Sequence, residues 1–363
     1  MLKTLLVYGE PKRLGGVVNF MESLKQNLSD DIEVQHFIMG QRVSKTGRFF
    51  RILMPFIDSV RLIYTLISKK FDIVHLNPSL NTRSLLRDGL FLIILRLVGR
   101  QQIIVFFHGW QTELESKISH NIISRYLFFR VYGKDIDVFV LASRFKKSLI
   151  SMGFSTHRVH LFSTMFDSKQ VPTTKRKTDP CIKLLFMSRF ERAKGIYELL
   201  TAFQRFSRDF PMATLELAGD GPEMQAMKNW VNKNELSNSI HFLGYLRGSK
   251  KVQAYKDATL FVFPTYYGEG CPVVLLEAMA AGLPIITGST GGIPDIVKDG
   301  VHGKLLAEIT PETIECALKS LISKPDRMIY IGESNYLEAW KKFEARTVTR
   351  KIETKYVEFL ARG

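Results

Sequence analysis

Cysteine is scarce in this sequence, and long apolar runs are missing from it. The three cysteines, Cys181, Cys271 and Cys316, are too few and too scattered for a disulfide framework or a zinc cluster. We therefore expect a reducing compartment. The longest apolar run, residues 90–95, falls far short of the roughly 20 residues that a membrane-spanning helix needs. The apolar run at the N-terminus is too short for a signal peptide and is typical of a first β-strand.

Acidic residues are also under-represented, since 35 Asp and Glu stand against 51 Lys and Arg, for a formal net charge of +16. Such a charge favours anionic partners: nucleic acid, acidic lipid headgroups or phosphorylated substrates. No recognised nucleic-acid-binding motif or aromatic RNA platform accompanies the charge, so we expect no nucleic acid partner. The 363 residues, 45% of them hydrophobic, suffice for two domains that each bury a core.

Short apolar runs alternate with helical patterns in both halves of the chain, which is typical of two doubly wound α/β sheets. The predicted strands are residues 4–8, 34–39, 72–76, 102–107 and 137–141 in the first half, and residues 182–187, 214–218, 240–243, 260–263, 284–287 and 304–306 in the second. A polar, basic, proline-bounded stretch at residues 168–180 is typical of a linker. Ligands bind at the carboxyl ends of the strands in this architecture.

Residues 268–284 combine a glycine-rich turn, a helix start and two carboxylates. The amides at the start of that helix and the helix dipole attract phosphate or electron-rich hydroxyl oxygens. Glu269 in the turn and Glu277 in the helix can accept hydrogen bonds from vicinal diols. The spacing of two glutamates is weak evidence by itself, but the strand, turn and helix in this order predict a site for a sugar nucleotide.

Three smaller features carry further candidate contacts. Gly15 and Gly16 follow the first strand, where their amides can approach a ligand, although such a pair is as often a plain turn. Arg189 and Lys194 lie in the loop after a strand of the second half, where their cationic groups can hold the oxygens of a diphosphate. His108 ends a strand of the first half and can offer a ring nitrogen to a sugar hydroxyl.

Other polar residues favour structural roles. His75 lies in a setting similar to that of His108, but a role in core packing is more typical of it. Asp135 and Asp137 invite a metal-ligand interpretation, which we reject because Asp137 begins a strand. No other cluster has metal-ligand spacing, so we predict no bound metal.

Residues 42–70 form a basic segment that is rich in aromatic and apolar residues, with Asp58 as its acidic residue. A helix of this composition can lie in the surface of an anionic membrane with its apolar side in the headgroup boundary. In the alternative interpretation the basic residues point into water, and the helix packs onto the first sheet through Val60, Ile63, Tyr64 and Ile67. The sequence does not decide between the two.

Taken together, these motifs resemble the retaining glycosyltransferases of family 4, also called glycosyl transferases group 1, which have the GT-B fold of two facing Rossmann-like domains. The likeness rests on the element from Glu269 to Glu277, on the loop at residues 188–195, and on the glycine pair at residues 15–16. Residues 291–297 and 72–75 give weaker support. The chain departs from the family pattern at residues 163–167, and it has Phe190 where the family has leucine.

The resemblance implies an acceptor-binding domain at residues 1–170, a nucleotide-sugar-binding domain at residues 171–345, and a final helix at residues 346–363 that crosses back to the first domain. It implies that Arg189 and Lys194 hold the diphosphate and Glu277 the ribose. Contacts with the donor are implied for Gly15, Gly16, Arg189, Lys194, Gly244, Tyr245, Leu246, Glu269, Gly270, Cys271, Pro272, Val273, Val274 and Glu277. Catalytic roles are implied for His108, Glu269, Arg189 and Lys194.

The function that follows from the resemblance is retaining, metal-independent transfer of a sugar from a UDP- or GDP-sugar to a hydroxyl of a glycan acceptor. We expect no cofactor besides this substrate. The basic segment favours a lipid-linked acceptor, as in polysaccharide or lipopolysaccharide synthesis, and a cytoplasmic protein held peripherally at the inner face of the cytoplasmic membrane. The alternatives are a soluble transferase acting on small molecules, and a protein that binds sugar nucleotides or nucleic acid without catalysis.

Overall fold

A computed structural model describes residues 1–9, 16–40, 48–99, 101–172 and 181–361, with the backbone alone for residues 48–52. The chain divides into two compact units. Unit 1 comprises Met1–Thr164 and Ala345–Gly363, and unit 2 comprises Met165–Glu344.

The boundaries of the units differ slightly from the predicted ones at residues 170/171 and 345/346. Residues 165–170 belong to unit 2 because Phe166 pairs there with Glu344, and its amide donates to the carbonyl of Phe343 at 3.1 Å. The predicted linker begins as a short 3-10 helix, Ser168–Gln170, rather than as extended chain. Residues 173–180 of that linker lie outside the described residues.

Each unit is built on a parallel sheet. The described strands are β1 (Leu2–Gly9), β2 (Ile32–Met39), β3 (Ile73–Leu76), β4 (Ser79–Leu80), β5 (Gln102–Phe107), β6 (Gly109–Trp110), β7 (Asp137–Val140), β8 (Val159–Leu161), β9 (Lys183–Met187), β10 (Thr214–Ala218), β11 (Ile240–Gly244), β12 (Leu260–Phe263), β13 (Ile285–Gly288) and β14 (Gly303–Leu306). Six strands of unit 1 pair in the order β2-β1-β3-β5-β7-β8, and six of unit 2 in the order β11-β10-β9-β12-β13-β14. The prediction of two doubly wound parallel sheets is confirmed.

Helices connect and cover the strands. The described α-helices are α1 (Gly16–Asn27), α2 (Arg48–Ser68), α3 (Thr82–Val98), α4 (Thr112–His120), α5 (Ile122–Tyr132), α6 (Ser143–Ser151), α7 (Ile196–Asp209), α8 (Met224–Lys233), α9 (Gly248–Asp257), α10 (Val273–Ala280), α11 (Ile293–Ile296), α12 (Pro311–Ile322), α13 (Pro325–Lys342) and α14 (Ala345–Leu360). The strands they cover are nearly continuous apolar runs, as expected where both faces of a sheet are buried. All eleven predicted strands are present: β5, β10 and β12 have the predicted bounds, and the other eight have shifted ends. The strands β4, β6 and β8 were too short to show a pattern.

The order of the strands reverses between β1 and β3 in unit 1, and between β9 and β12 in unit 2. At such a reversal the loops leave the carboxyl edge of the sheet toward opposite sides and open a crevice there. In unit 2, the two loops at this point are residues 188–195 after β9 and residues 264–272 after β12. These are the two segments whose motifs predict a ligand site.

The final helix, α14, packs beside α1 in unit 1. Its Tyr356 is fully buried, and the hydroxyl lies 2.5 Å from Nδ1 of His75 on β3. Burial lowers the pKa of His75 to about 3, so its ring is neutral at pH 7. The amide of Ser29 donates to the carboxylate of Glu353 at 2.6 Å, which ties the start of β2 to α14. His75 is thus a core residue of unit 1.

Replacing Tyr356 by Phe is expected to lower the free energy of unfolding by about 1–3 kcal/mol, because it leaves Nδ1 of a buried imidazole without its partner. Urea titration measures the change. Tyr330→Phe is the matched control, since Tyr330 is exposed on α13 and its replacement should leave the urea midpoint unchanged. Equal midpoints for the two variants would show that the hydrogen bond contributes nothing to stability.

Candidate functional site

The loop after β9 is anchored by tight backbone packing. Phe190 is fully buried, and its amide donates to the carbonyl of Asp220 at 2.9 Å. Gly219 has φ +147°, and a Cβ there would lie 1.9 Å from the carbonyl oxygen of Ser188. The turn at residues 219–222 therefore supports the loop at residues 188–195, because only glycine allows this approach.

Lys194 joins the loops after β9 and β12. Its ammonium pairs with the carboxylate of Glu269 and lies 4.5 Å from the centre of the Tyr267 ring. The amides of Tyr266 and Tyr267 both donate to the carbonyl of Ala193 at 3.1 and 3.2 Å. Two residues that the sequence predicts for the same site, 75 positions apart, are thereby in direct contact.

Glu269 is supported from a second side by the glycine-rich segment before α11. The amide of Gly292 donates to the carbonyl of Glu269 at 2.7 Å. Gly291 has φ +58°, and a Cβ there would lie 1.9 Å from the same carbonyl oxygen. The weak motif at residues 291–297 thus has a structural explanation, since it holds the backbone of Glu269 in place.

The helix α10 starts at Val273, with Pro272 at its N-cap and Cys271 buried before it. Pro272 makes no side-chain hydrogen bond to the first turn, whose amides lie at the positive end of the helix dipole. Gly270 precedes them in the turn. This edge of unit 2 can hold an anion.

Glu277 lies on α10 and is only 3% exposed. One carboxylate oxygen accepts from Nζ of Lys251 at 2.6 Å, and the other accepts from the hydroxyl of Tyr255 at 2.9 Å. Burial first, and then the charge of Glu277, raises the pKa of Tyr255 well above its usual value, so the tyrosine stays a donor. Sequence reasoning missed Lys251 and Tyr255. Their four-residue spacing just after the segment 244–246 was the available signal.

The remaining residues of unit 2 that are predicted to contact the donor lie at the end of β11 and in the loop after β9. Gly244 ends β11 with φ +66°, and Tyr245 and Leu246 follow it. The Tyr245 ring is exposed and lies beneath the guanidinium of Arg247, 5.0 Å from its centre. Arg189 is exposed and pairs with Glu191 at 3.2 Å, so it does not join the contact between Lys194 and Glu269 in this structure.

In unit 1, His108 follows β5 at the carboxyl edge of the sheet. Its Nε2 lies 3.0 Å from Oδ1 of Asn77, whose amide nitrogen donates to the carbonyls of Val7 and His75. Because that nitrogen is used as a donor, Oδ1 is the acceptor, Nε2 of His108 carries the proton, and Nδ1 is left as an acceptor. Burial, and then the neighbouring His75, lowers the pKa of His108 to about 3.

The sequence also singles out other residues of unit 1. Gly16 begins α1 and is exposed, whereas Gly15 lies outside the described residues. Asp137 accepts from Arg158 at 3.2 Å and contacts His160 at 3.0 Å. Among the described residues, no group of three or more His, Cys, Asp or Glu is placed to hold a metal ion.

Comparison with known proteins shows that this chain is similar to glycosyltransferases. Residues 168–338 match the model of the family Glycosyl transferases group 1. An uncharacterized glycosyltransferase of Methanocaldococcus jannaschii is 24% identical over 370 aligned residues, which cover 91% of this chain and 92% of that protein. A GDP-mannose-dependent alpha-(1-6)-phosphatidylinositol monomannoside mannosyltransferase of Mycolicibacterium smegmatis is 24% identical over 274 residues, 69% of each chain.

Solved structures show the same architecture. Anabaena HepE in complex with UDP superposes with a TM-score of 0.75 at 17% identity, over 99% of this chain and 100% of that one. The predicted GT-B fold is confirmed. The residues that match the family model, 168–338, lie within unit 2.

Replacing Gly195 by Ala is expected to destabilise unit 2 by more than about 1 kcal/mol, because the backbone of Gly195 has a left-handed conformation that side chains with a Cβ disfavour. Its φ is +69°, and a Cβ there would lie 2.0 Å from the carbonyl oxygen of Pro264. Urea titration followed by tryptophan fluorescence measures the effect. Gly268→Ala is the control, since no atom lies within 4 Å of a Cβ at that position. Equal midpoints would contradict the close approach of the two loops.

Proposed function

We propose that this protein is a retaining glycosyltransferase that moves a sugar from a nucleotide-diphosphate sugar to a hydroxyl of a glycan acceptor. The observation that carries the proposal is the contact between Lys194 and Glu269 at the strand reversal of unit 2. It lies within a glycosyl transferases group 1 domain. The relatives support both kinds of donor, since one is named GDP-mannose-dependent and HepE was solved with UDP.

Donor binding would open the ion pair between Lys194 and Glu269. A diphosphate carries more negative charge than a carboxylate, so it competes for the ammonium of Lys194. The amides at the start of α10 add donors for the same phosphates. Glu269 is then free to accept hydrogen bonds from hydroxyls of the donor sugar. Arg189 needs only a side-chain rotation to reach an anion, because it is exposed and bound only at the surface.

The chemical step follows from this placement of charge. The bond between sugar and phosphate loosens to an oxocarbenium-like state while negative charge grows on the leaving diphosphate. Lys194, Arg189 and the amides of α10 stabilise that charge without a metal. The acceptor hydroxyl attacks on the face that the diphosphate leaves, which retains the anomeric configuration, and the diphosphate takes the proton. The neutral His108 accepts a hydrogen bond from a substrate hydroxyl through Nδ1.

A lipid-linked acceptor is supported by the outer surface of unit 1. The helix α3 packs between α2 and α5, and all three carry large apolar side chains that face solvent. We call this surface the three-helix face; its exposed apolar residues are Leu53, Phe56, Ile57, Val60, Tyr64 and Ile67 of α2, Leu86, Ile93, Leu97 and Val98 of α3, and Ile122, Ile123, Tyr126 and Leu127 of α5. An exposed apolar area spread over three helices is typical of an interaction surface.

The alternative interpretation of residues 42–70, that their apolar side packs onto the sheet, is wrong for three of the four residues that it names. Val60, Tyr64 and Ile67 are between 68% and 74% exposed, and only Ile63 packs against the core. The helix instead contacts the core through Leu62, which is fully buried. The apolar side chains that face outward therefore remain available to a partner.

The charge of the three-helix face favours an anionic partner. Among the described side chains of its helices, the acidic residues Asp58 and Asp88 are buried and paired with Arg61 and Arg87, each at 2.7 Å. The exposed charges are cationic: Arg83, Arg96 and Arg130 on the helices, with Lys69 and Lys70 directly after α2. Apolar and cationic side chains together suit the headgroup region of an anionic bilayer. In the described part of the chain, no helix has the length and hydropathy of a transmembrane segment.

The transferase proposal predicts that one sugar nucleotide raises the thermal midpoint and is slowly hydrolysed by the full chain. Lys194→Ala should slow that hydrolysis by about 100-fold or more, because a cation aimed at the leaving group is lost. Glu277→Ala should weaken donor binding. Lys256→Ala is the control, since Lys256 is exposed on the same unit and should behave as the natural chain.

One result would overturn the proposal as a whole, and a second would overturn its retaining mechanism. The first is no response to any donor together with tight, salt-dependent binding to RNA. The second concerns stereochemistry alone: a product whose anomeric configuration is inverted, as read by NMR, would exclude the retaining mechanism and leave the transferase assignment intact.

The membrane proposal predicts that the chain sediments with vesicles of phosphatidylglycerol and phosphatidylcholine. Replacing Phe56 and Tyr64 together by Ser should weaken this binding by about tenfold or more, because two exposed side chains lose their apolar burial. Added salt should weaken it further. Tyr330→Ser in unit 2 is the control for an exposed aromatic residue. Binding that needs neither phosphatidylglycerol nor these two residues would contradict the proposal.

A further inference from the structure

A lysine and a tyrosine of α9 hold both oxygens of the Glu277 carboxylate. Lys251 and Tyr255 are four positions apart, so they lie on the same side of the helix. Tyr255 is fully buried and Glu277 almost so, whereas 16% of the Lys251 side chain is exposed. The cluster is therefore a buried acid with a cation at its solvent edge.

This cluster has unused hydrogen-bonding capacity. A carboxylate offers about four acceptor positions, and the structure uses one on each oxygen of Glu277. The ammonium of Lys251 has three N–H groups, of which one is given to Glu277. Burying two charges is costly unless their remaining groups find partners. Two hydroxyls on neighbouring carbons can donate to the carboxylate and accept from the ammonium at once.

The position of the cluster in unit 2 suits such a ligand. The helix α9 begins directly after the segment 244–246, and Glu277 lies on α10, whose start offers amides to an anion. In a nucleoside diphosphate the ribose joins the base to the phosphates. A ribose at Glu277 would therefore have the segment 244–246 on its base side and the start of α10 on its phosphate side.

We propose that Lys251 is a recognition residue for the ribose of the donor nucleotide. Its ammonium holds one oxygen of Glu277 and donates a second hydrogen bond to a ribose hydroxyl oxygen, while the carboxylate accepts from the vicinal diol. Tyr255 positions the other carboxylate oxygen. This inference rests on the proposed function and adds to it the source of ribose selectivity.

The test compares nucleotides with and without the diol on the full chain. Calorimetry gives the affinities for UDP and 2′,3′-dideoxy-UDP, and for the corresponding guanosine pair. The natural chain should prefer the ribonucleotide by about tenfold or more, as expected for hydrogen bonds to charged groups. Lys251→Met should reduce that preference by about tenfold, and Lys251→Arg should restore part of it. Lys250→Met is the control on the exposed side of α9 and should keep the full preference.

A preference for the diol that survives in Lys251→Met would overturn the inference. So would an equal loss of affinity for both nucleotides, since that pattern indicates only general charge or packing. If Lys251→Met does not fold, Lys251→Gln replaces it, because glutamine keeps a donor without the charge. A natural chain that binds neither UDP nor GDP would instead refute the proposed function, and the inference with it.

Discussion

The adjacency of β9 and β12 in the parallel sheet of unit 2 is the constraint on which the candidate site depends. A right-handed crossover must carry the chain away from β9 and back to its other side, which leaves two loops at one point of the carboxyl edge. Glycines allow these loops to approach closely. Gly195 lies against the backbone of Pro264, and Gly291 against that of Glu269. This close approach of the backbones brings Lys194 and Glu269 into contact.

Charge compensation governs the same region. Both carboxylates of the predicted donor site are paired with lysines, Glu269 with Lys194 and Glu277 with Lys251. A buried carboxylate without a cation would be strongly unfavourable, so each pair stabilises its acid until a ligand arrives. When a ligand binds, we expect the first ion pair to open and the second to persist. A diphosphate competes with Glu269 for Lys194, whereas a neutral ribose has no charge with which to displace Lys251 from Glu277.

Unit 1 has polar groups at the carboxyl edge of its sheet and apolar groups on its three-helix face. At the carboxyl edge of its sheet Asn77 holds His108, and in its core His75 contacts Tyr356. Its three-helix face exposes apolar side chains and leaves its two acidic residues buried. The edge of this sheet is therefore suited to specific hydrogen bonds, and the three-helix face to a broad anionic surface.

The sequence by itself determined the two parallel sheets and the helix α10, because continuous apolar runs and glycine-rich turns are local patterns. It also located His108 at a strand end, Lys194 and Glu269 in the loops after strands, and Glu277 in the helix that follows. Tertiary structure alone decided the partners of these residues. The sequence analysis missed Lys251, Tyr255 and Asn77, because a contact between residues far apart in the chain produces no recognisable pattern in the sequence of either segment. The outward direction of Val60, Tyr64 and Ile67 was likewise undecided, since one apolar stripe can face a core or a partner, and only packing selects between them.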